Sequence, residues 1–195
     1  MYKKWFSWVI RILGLFFLVT YLFVTNDFSF SLGWMLLHVV IVIGVSVLVT
    51  QLEIEKYFPL LNTYHVHSKI DEKDIQYSES EDEYYKKKIT YMEGMFDKSS
   101  LFFIASEDGL ICVPLLFSGL NPFSILVAGV VFGWLHLARF TYLECIVKGL
   151  TYTIICYLVL PTGILTVIAG HYLTDIFGFI VLKIAKKHAH NDETI

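Results

Sequence analysis

The sequence has few cysteines and lacks the motifs that carry most soluble chemistry. Its three cysteines, Cys112, Cys145 and Cys156, all lie in or beside apolar runs, so they do not suggest a disulfide framework. We find no internal repeat, no low-complexity tract, no glycine-rich loop that could cradle a phosphate and no nucleic-acid-binding pattern. Nucleotide-dependent functions therefore have no support in the sequence, and nucleic acid is not expected as a partner.

Long apolar runs are what the chain does contain. Of its 195 residues 56% are hydrophobic, and the mean hydropathy is +0.62, which is typical of an integral membrane protein. The sequence predicts an all-α, polytopic membrane helical bundle with about six transmembrane helices. Because a span needs about 20 apolar residues, we place these helices at residues 5–25, 31–50, 99–119, 123–140, 145–160 and 162–184.

The distribution of Lys and Arg predicts the orientation of these spans. The short connections 26–30, 120–122 and 161–162 contain neither residue, whereas Lys3, Lys4, Arg139, Lys148 and the segments 56–98 and 183–187 fall on the other side. The positive-inside rule then places both termini in the cytoplasm of a multi-pass cell-membrane protein.

The predicted spans divide the chain into four parts. Residues 1–50 form two transmembrane helices, 51–98 a cytoplasmic loop, 99–187 a core of four transmembrane helices, and 188–195 a cytoplasmic tail. Within the loop, Tyr85, Ile89, Met92 and Phe96 recur at helical spacing beside three lysines, which suits an amphipathic helix on the anionic inner leaflet. A solvated charged loop is the equal alternative.

Acids and imidazoles inside the apolar runs are the candidate functional residues. Glu107 and Asp108 lie in the third span, His136 in the fourth, and His171 and Asp175 in the sixth. Each carboxylate in hydrocarbon costs roughly 2.5–3.5 kcal/mol on insertion scales, so such residues mark functional sites. Residues four apart share a helix face, which pairs His171 with Asp175. We expect the three helices to converge on one polar site that opens towards the cytoplasm.

Hydrolysis is the chemistry that such a site suits. A carboxylate in an apolar pocket can serve as a general base, and an imidazole can relay the proton or stabilise an oxyanion. A zinc ion held by His136, His171 and Asp175, with an open position for water, is the metal-dependent alternative. Spacing does not separate these mechanisms. Two further readings are a proton or ion path through Glu107 and Asp108, and mere packing, which we assign to His38 in the second span.

In these residues the sequence resembles the CPBP family of intramembrane proteases, which includes CAAX proteases and bacteriocin-processing (Abi) proteins. That family carries Glu-Glu-x-x-x-Arg, Phe-x-x-x-His and His-x-x-x-Asn/Asp on successive membrane helices. The chain has Glu107-Asp108 with Cys112 four residues on, then Phe132 to His136, then His171 to Asp175. The resemblance covers about residues 99–184.

The resemblance implies an endopeptidase that cleaves a membrane-associated peptide or protein, such as a bacteriocin or signal peptide precursor. Glu107 would activate water with help from His136, while His171 and Asp175 would stabilise the oxyanion or hold Zn²⁺. A non-catalytic membrane immunity or interaction protein on the same scaffold is the alternative.

Two positions depart from the family pattern. Asp108 replaces the second glutamate, and Cys112 replaces the arginine that would neutralise it one turn away. Arg139, one turn from His136, is a candidate replacement partner. The missing arginine also leaves open a chain that keeps the fold without catalysis.

Overall fold

The computed structural model describes residues 2–62, 100–137 and 140–192. Within these ranges the chain is helical, and six helices of fifteen residues or more account for most of it. A helical turn at Ile54–Tyr57 and two 3₁₀ turns, Pro59–Asn62 and Leu160–Thr162, lie between them. The long helices are α1 (Tyr2–Thr25), α2 (Leu32–Gln51), α3 (Ser100–Phe117), α4 (Pro122–His136), α5 (Tyr142–Leu158) and α6 (Ile164–Asp192).

The helix ends follow from local sequence signals. Asn121 caps α4, since its side chain accepts a hydrogen bond from the Ser124 N–H at 2.9 Å. Thr141 and Glu144 form a reciprocal capping box at the start of α5. Proline breaks the regular pattern at residue 161, where α5 has ended and a 3₁₀ turn leads into α6.

Before α2, the connection is ordered by Asp27. Its carboxylate accepts hydrogen bonds from the Ser29 N–H at 3.1 Å and from the Tyr21 hydroxyl at 2.8 Å. These bonds favour the charged form, and they hold the pKa of Asp27 below its usual value. The charge of this short connection is thus fixed at neutral pH.

Two of the predicted helix ends differ from the structure by four residues or more. The fourth helix ends at His136 rather than 140, and the last one continues to Asp192, so residues 188–192 extend a helix instead of forming a frayed tail. The predicted amphipathic helix around Tyr85–Phe96 and the proposed partner Arg139 lie outside the described residues.

Packing arranges the helices in pairs around a shared centre. α1 packs along α3, α2 along α6, and α4 along α5, while α3 also contacts α6 and α4. The α4–α5 pair approaches closely at Gly129, Gly133 and Gly149, where an added methyl group would meet the backbone of the facing helix. The absence of a side chain at these positions permits the close packing of the two helices.

The outer surface of the bundle is strongly apolar. Phe23 is 82% exposed, and large aliphatic and aromatic side chains of α1, α2, α4 and α6 are exposed in the same way. Within the described ranges, three helical segments are long and apolar enough to cross a membrane, namely Trp8–Thr25, Leu32–Gln51 and Ile164–Val181. α4 is apolar but only 15 residues long. The structure therefore supports a helical membrane protein, and the count of six spans stays a prediction.

Candidate functional site

Asp108 on α3 lies at the centre of the site, with none of its side chain exposed. The Tyr152 hydroxyl on α5 donates to its Oδ1 at 2.8 Å, and His171 Nδ1 on α6 lies 3.2 Å from its Oδ2. A buried carboxylate is tolerated only when it is paired or hydrogen-bonded, and these two groups supply one partner to each oxygen. Asp108 thus joins three helices.

Tyr152 is itself held by two contacts. Its ring stacks on Phe132 of α4, with centroids 3.9 Å apart and planes within 4° of parallel. Its hydroxyl also lies 3.0 Å from the Cys112 sulfur. Cys112, one turn along α3 from Asp108, therefore contacts the residue that binds Asp108. No pattern in the sequence indicates this arrangement, in which Tyr152 and His171 are the hydrogen-bond partners of Asp108.

The imidazole of His171 is oriented by Asp108. Because Nδ1 pairs with the Asp108 carboxylate, the orientation of the ring is fixed and Nε2 is the nitrogen on the far side of the ring, as in carboxylate–histidine pairs generally. Two other rings enclose it: Phe132 at 5.8 Å in a T-shaped arrangement and His38 of α2 at 6.5 Å, nearly parallel. The sequence-based interpretation placed His38 in packing alone, away from this cluster.

Glu107 lies beside this pair without being locked into it. Its side chain is half-buried, whereas that of Asp108 is sealed, as expected for adjacent residues that point about 100° apart on a helix. Glu107 interacts electrostatically with His171, Asp108, Asp175 and Lys148. His171 in turn is influenced by all three carboxylates. The structure therefore brings Asp108 and His171 into contact and places Glu107 and Asp175 within electrostatic range of His171.

His136 is adjacent to the Asp108 cluster, and the ring of Phe132 lies between them. Its Nδ1 lies 2.7 Å from the Phe132 carbonyl oxygen one turn earlier, and its ring packs on Phe132 at 4.6 Å and on Phe140 at 5.5 Å. Phe132 stands between His136 and the Tyr152–Asp108 bond. The expected site residue on α4 is thus adjacent to the cluster, with Phe132 as the link.

The described residues contain no group of three or more His, Cys, Asp or Glu side chains arranged to hold a metal ion. His136, His171 and Asp175, the predicted zinc ligands, are not gathered as a donor set. Zinc dependence accordingly stays a hypothesis, and no chemical step below is routed through a metal.

Sequence reasoning missed two members of the site, Tyr152 and His38. Tyr152 carries no charge and belongs to none of the three motifs, so only its position on α5 relative to α3 reveals its role. His38 carried a usable signal, since it is the one ionisable residue in the apolar span Leu32–Gln51.

Comparisons with known proteins identify no relative. No protein-family model, no curated protein and no solved structure matches the chain. The resemblance to CPBP proteases consequently rests on the three motifs and on their order along the chain.

Proposed function

We propose that the chain is an intramembrane endopeptidase that hydrolyses a peptide bond of a membrane-associated peptide or protein. One observation carries the proposal: a half-buried Glu107 lies beside an anchored Asp108–His171 pair inside an otherwise apolar bundle. The Asp108 carboxylate orients the imidazole of His171, while the neighbouring Glu107 carboxylate can act on the substrate. Such a division between fixed and reactive acids is what hydrolytic sites require.

The proposed reaction uses water as the nucleophile. Glu107 takes a proton from water as the water oxygen bonds to the carbonyl carbon of the substrate, and the carbonyl oxygen gains the negative charge. His171, as the imidazolium paired with the Asp108 carboxylate, donates from Nε2 to this oxyanion. The C–N bond then breaks, and the proton on Glu107 passes to the departing amine. Asp175 supports the charge of His171, and His136 assists from the Phe132 side.

The apolar surface supports a substrate that is itself in or on the membrane. Large aliphatic and aromatic side chains cover the exposed faces of the bundle, so lipids surround it and a substrate would arrive laterally or from the cytoplasmic face. Bacteriocin and signal peptide precursors, which the family resemblance implies, are small membrane-active peptides of this kind. We propose six spans with both termini in the cytoplasm as the setting for this reaction.

Comparing wild type with Glu107→Gln tests the proposal. Purified protein would be incubated with short hydrophobic precursor peptides in detergent, with and without a chelator, and products identified by mass spectrometry. We expect cleavage by wild type and a loss of at least about 100-fold in Glu107→Gln, with helical content unchanged. Glu53→Gln, outside the long helices, is the matched control and should cleave like wild type. Inhibition by the chelator would favour the zinc alternative.

A non-catalytic membrane immunity or interaction protein is the second candidate. The hydrogen bonds of Asp108 to Tyr152 and His171 favour it, because they account for the buried charge as a structural link between three helices. This candidate expects Glu107→Gln to leave the cellular phenotype intact. Cleavage of no peptide by wild type, or equal cleavage by wild type and Glu107→Gln, would contradict the endopeptidase.

A further inference from the structure

His38 occupies a position that packing alone explains poorly. It lies on α2 with 2% of its surface exposed, and its ring presses against the backbone of α6 at Gly170. A methyl group added to Gly170 would come within 2.6 Å of the His38 Cγ and Nδ1 atoms. Gly170 directly precedes His171, whose ring lies nearly parallel to that of His38. α6 therefore has a glycine where the His38 ring packs against it, next to His171.

The two nitrogens of His38 are in different situations. Nδ1 is the one buried side-chain nitrogen or oxygen in the described ranges that has no hydrogen-bond partner. An N–H group at this atom would be buried and unsatisfied, whereas a lone pair there can face the Cα–H of Gly170. The proton consequently belongs on Nε2, across the ring, which makes Nε2 a hydrogen-bond donor.

Phenylalanine would fill the same space without leaving a polar atom unpaired. A buried polar group that has no partner destabilises the fold, so the imidazole calls for a role that a hydrocarbon ring lacks. The neighbours of His38 indicate what that role concerns, since it interacts electrostatically with His171 and Asp108. Both belong to the pair that orients the proposed oxyanion donor.

We propose that His38 is a second imidazole of the site, which donates a hydrogen bond from Nε2 to the carbonyl oxygen of the peptide substrate beside His171. This inference rests on the proposed endopeptidase function. It adds a residue of α2 to a site that sequence motifs confine to α3, α4 and α6. The N-terminal helix pair would then contribute to the chemistry as well as to the membrane anchor.

Two substitutions separate the donor from the ring. His38→Phe keeps a flat ring and removes the donor, and we expect kcat to fall about 100-fold with KM little changed, as when one oxyanion donor is lost. Its thermal unfolding temperature should stay at or above that of wild type. His38→Gln places an N–H near the position of Nε2 and should recover most of the activity. Val39→Ala, a buried neighbour on α2, is the control and should lower stability without changing kcat.

Nitrogen-15 NMR of histidine-labelled protein in detergent supplies a readout that does not depend on cleavage. We expect His38 to be neutral, with its proton on Nε2. A proton on Nδ1, or a His38→Phe variant that cleaves as fast as wild type, would overturn the inference while the endopeptidase stands. A wild type that cleaves no peptide would overturn the endopeptidase and the substrate role together, whichever tautomer is found.

Discussion

At the scale of single residues, the buried carboxylate of Asp108 takes its hydrogen bonds from residues on other helices. An arginine one turn along α3 would neutralise Asp108 within a single helix. This chain has Cys112 there and draws its donors from α5 and α6 instead. The hydrogen bonds from Tyr152 and His171 to Asp108 link three helices. The stability of the bundle and the orientation of His171 therefore depend on the same two hydrogen bonds.

Tyr152→Phe tests that dependence. The variant keeps the ring stacked on Phe132 but removes the hydroxyl that donates to Asp108, which leaves one oxygen of a buried carboxylate without its donor. We expect a loss of about 1–3 kcal/mol in stability, measured by thermal or denaturant unfolding in detergent. Tyr157→Phe is the matched control, because Tyr157 lies on the same helix with 63% exposure and should change stability little. Equal unfolding of both variants would contradict the assigned role.

The ionisable residues of the candidate site were recognisable in the sequence because charge inside hydrocarbon is rare. Glu107, Asp108, His171 and Asp175 stand out in apolar runs, and the structure brings Asp108 and His171 into contact. The contact between Asp108 and Tyr152 joins residues 44 apart in sequence, and it depends on how α3 and α5 are rotated about their axes. Helical periodicity fixes neither rotation, since α3 and α5 each bury residues on several sides of the helix.

At the scale of helices, sequence patterns predicted the ends of the six long elements to within about four residues, except that α6 continues eight residues beyond its predicted end. Apolar length fixes that a helix forms, whereas its ends depend on caps and prolines, and the hydrogen bonds of Asn121 and Thr141 set two starts. Which helices pack against each other was harder to predict from the sequence. Gly129 and Gly133 were recognisable as a close-packing pair, but nothing in the sequence indicated that Gly14 on α1 meets α3.

Gly14→Ala should disrupt the α1–α3 contact. A methyl group at Gly14 would overlap the Ser106 carbonyl on α3, and Gly109 is packed just as tightly on the Gly14 carbonyl. Moving these backbones apart should cost about 1–3 kcal/mol, the usual range for overpacking, and can be measured by thermal unfolding in detergent. Gly44→Ala is the control, since nothing lies within 4 Å of a methyl group at that position. If both alanine variants unfolded alike, the α1–α3 contact would be in error.

At the scale of the whole molecule, the lengths of the helices raise the question of how many of them cross the membrane. The locations of the two termini answer it, because they depend on whether the number of spans is odd or even. Three segments are long and apolar enough to cross a membrane, and α4 has only 15 residues, or about 22 Å at 1.5 Å per residue. The hydrocarbon core is about 30 Å thick. A short helix beside a polar site can still cross where the bilayer thins or where the site holds water.

An odd number of spans places the two termini on opposite sides, and an even number places them on the same side. Three spans and six spans therefore predict different locations for the C-terminus. We expect epitope tags at both termini to be protected in intact cells or right-side-out vesicles and to become accessible to protease or antibody once the inner face is exposed. A tag inserted between Gly119 and Leu120, in the turn before α4, should show the reverse and be accessible from outside. With the N-terminal tag inside and the C-terminal tag outside, the six-span arrangement fails. α3, α4 and α5 could then not all cross the bilayer.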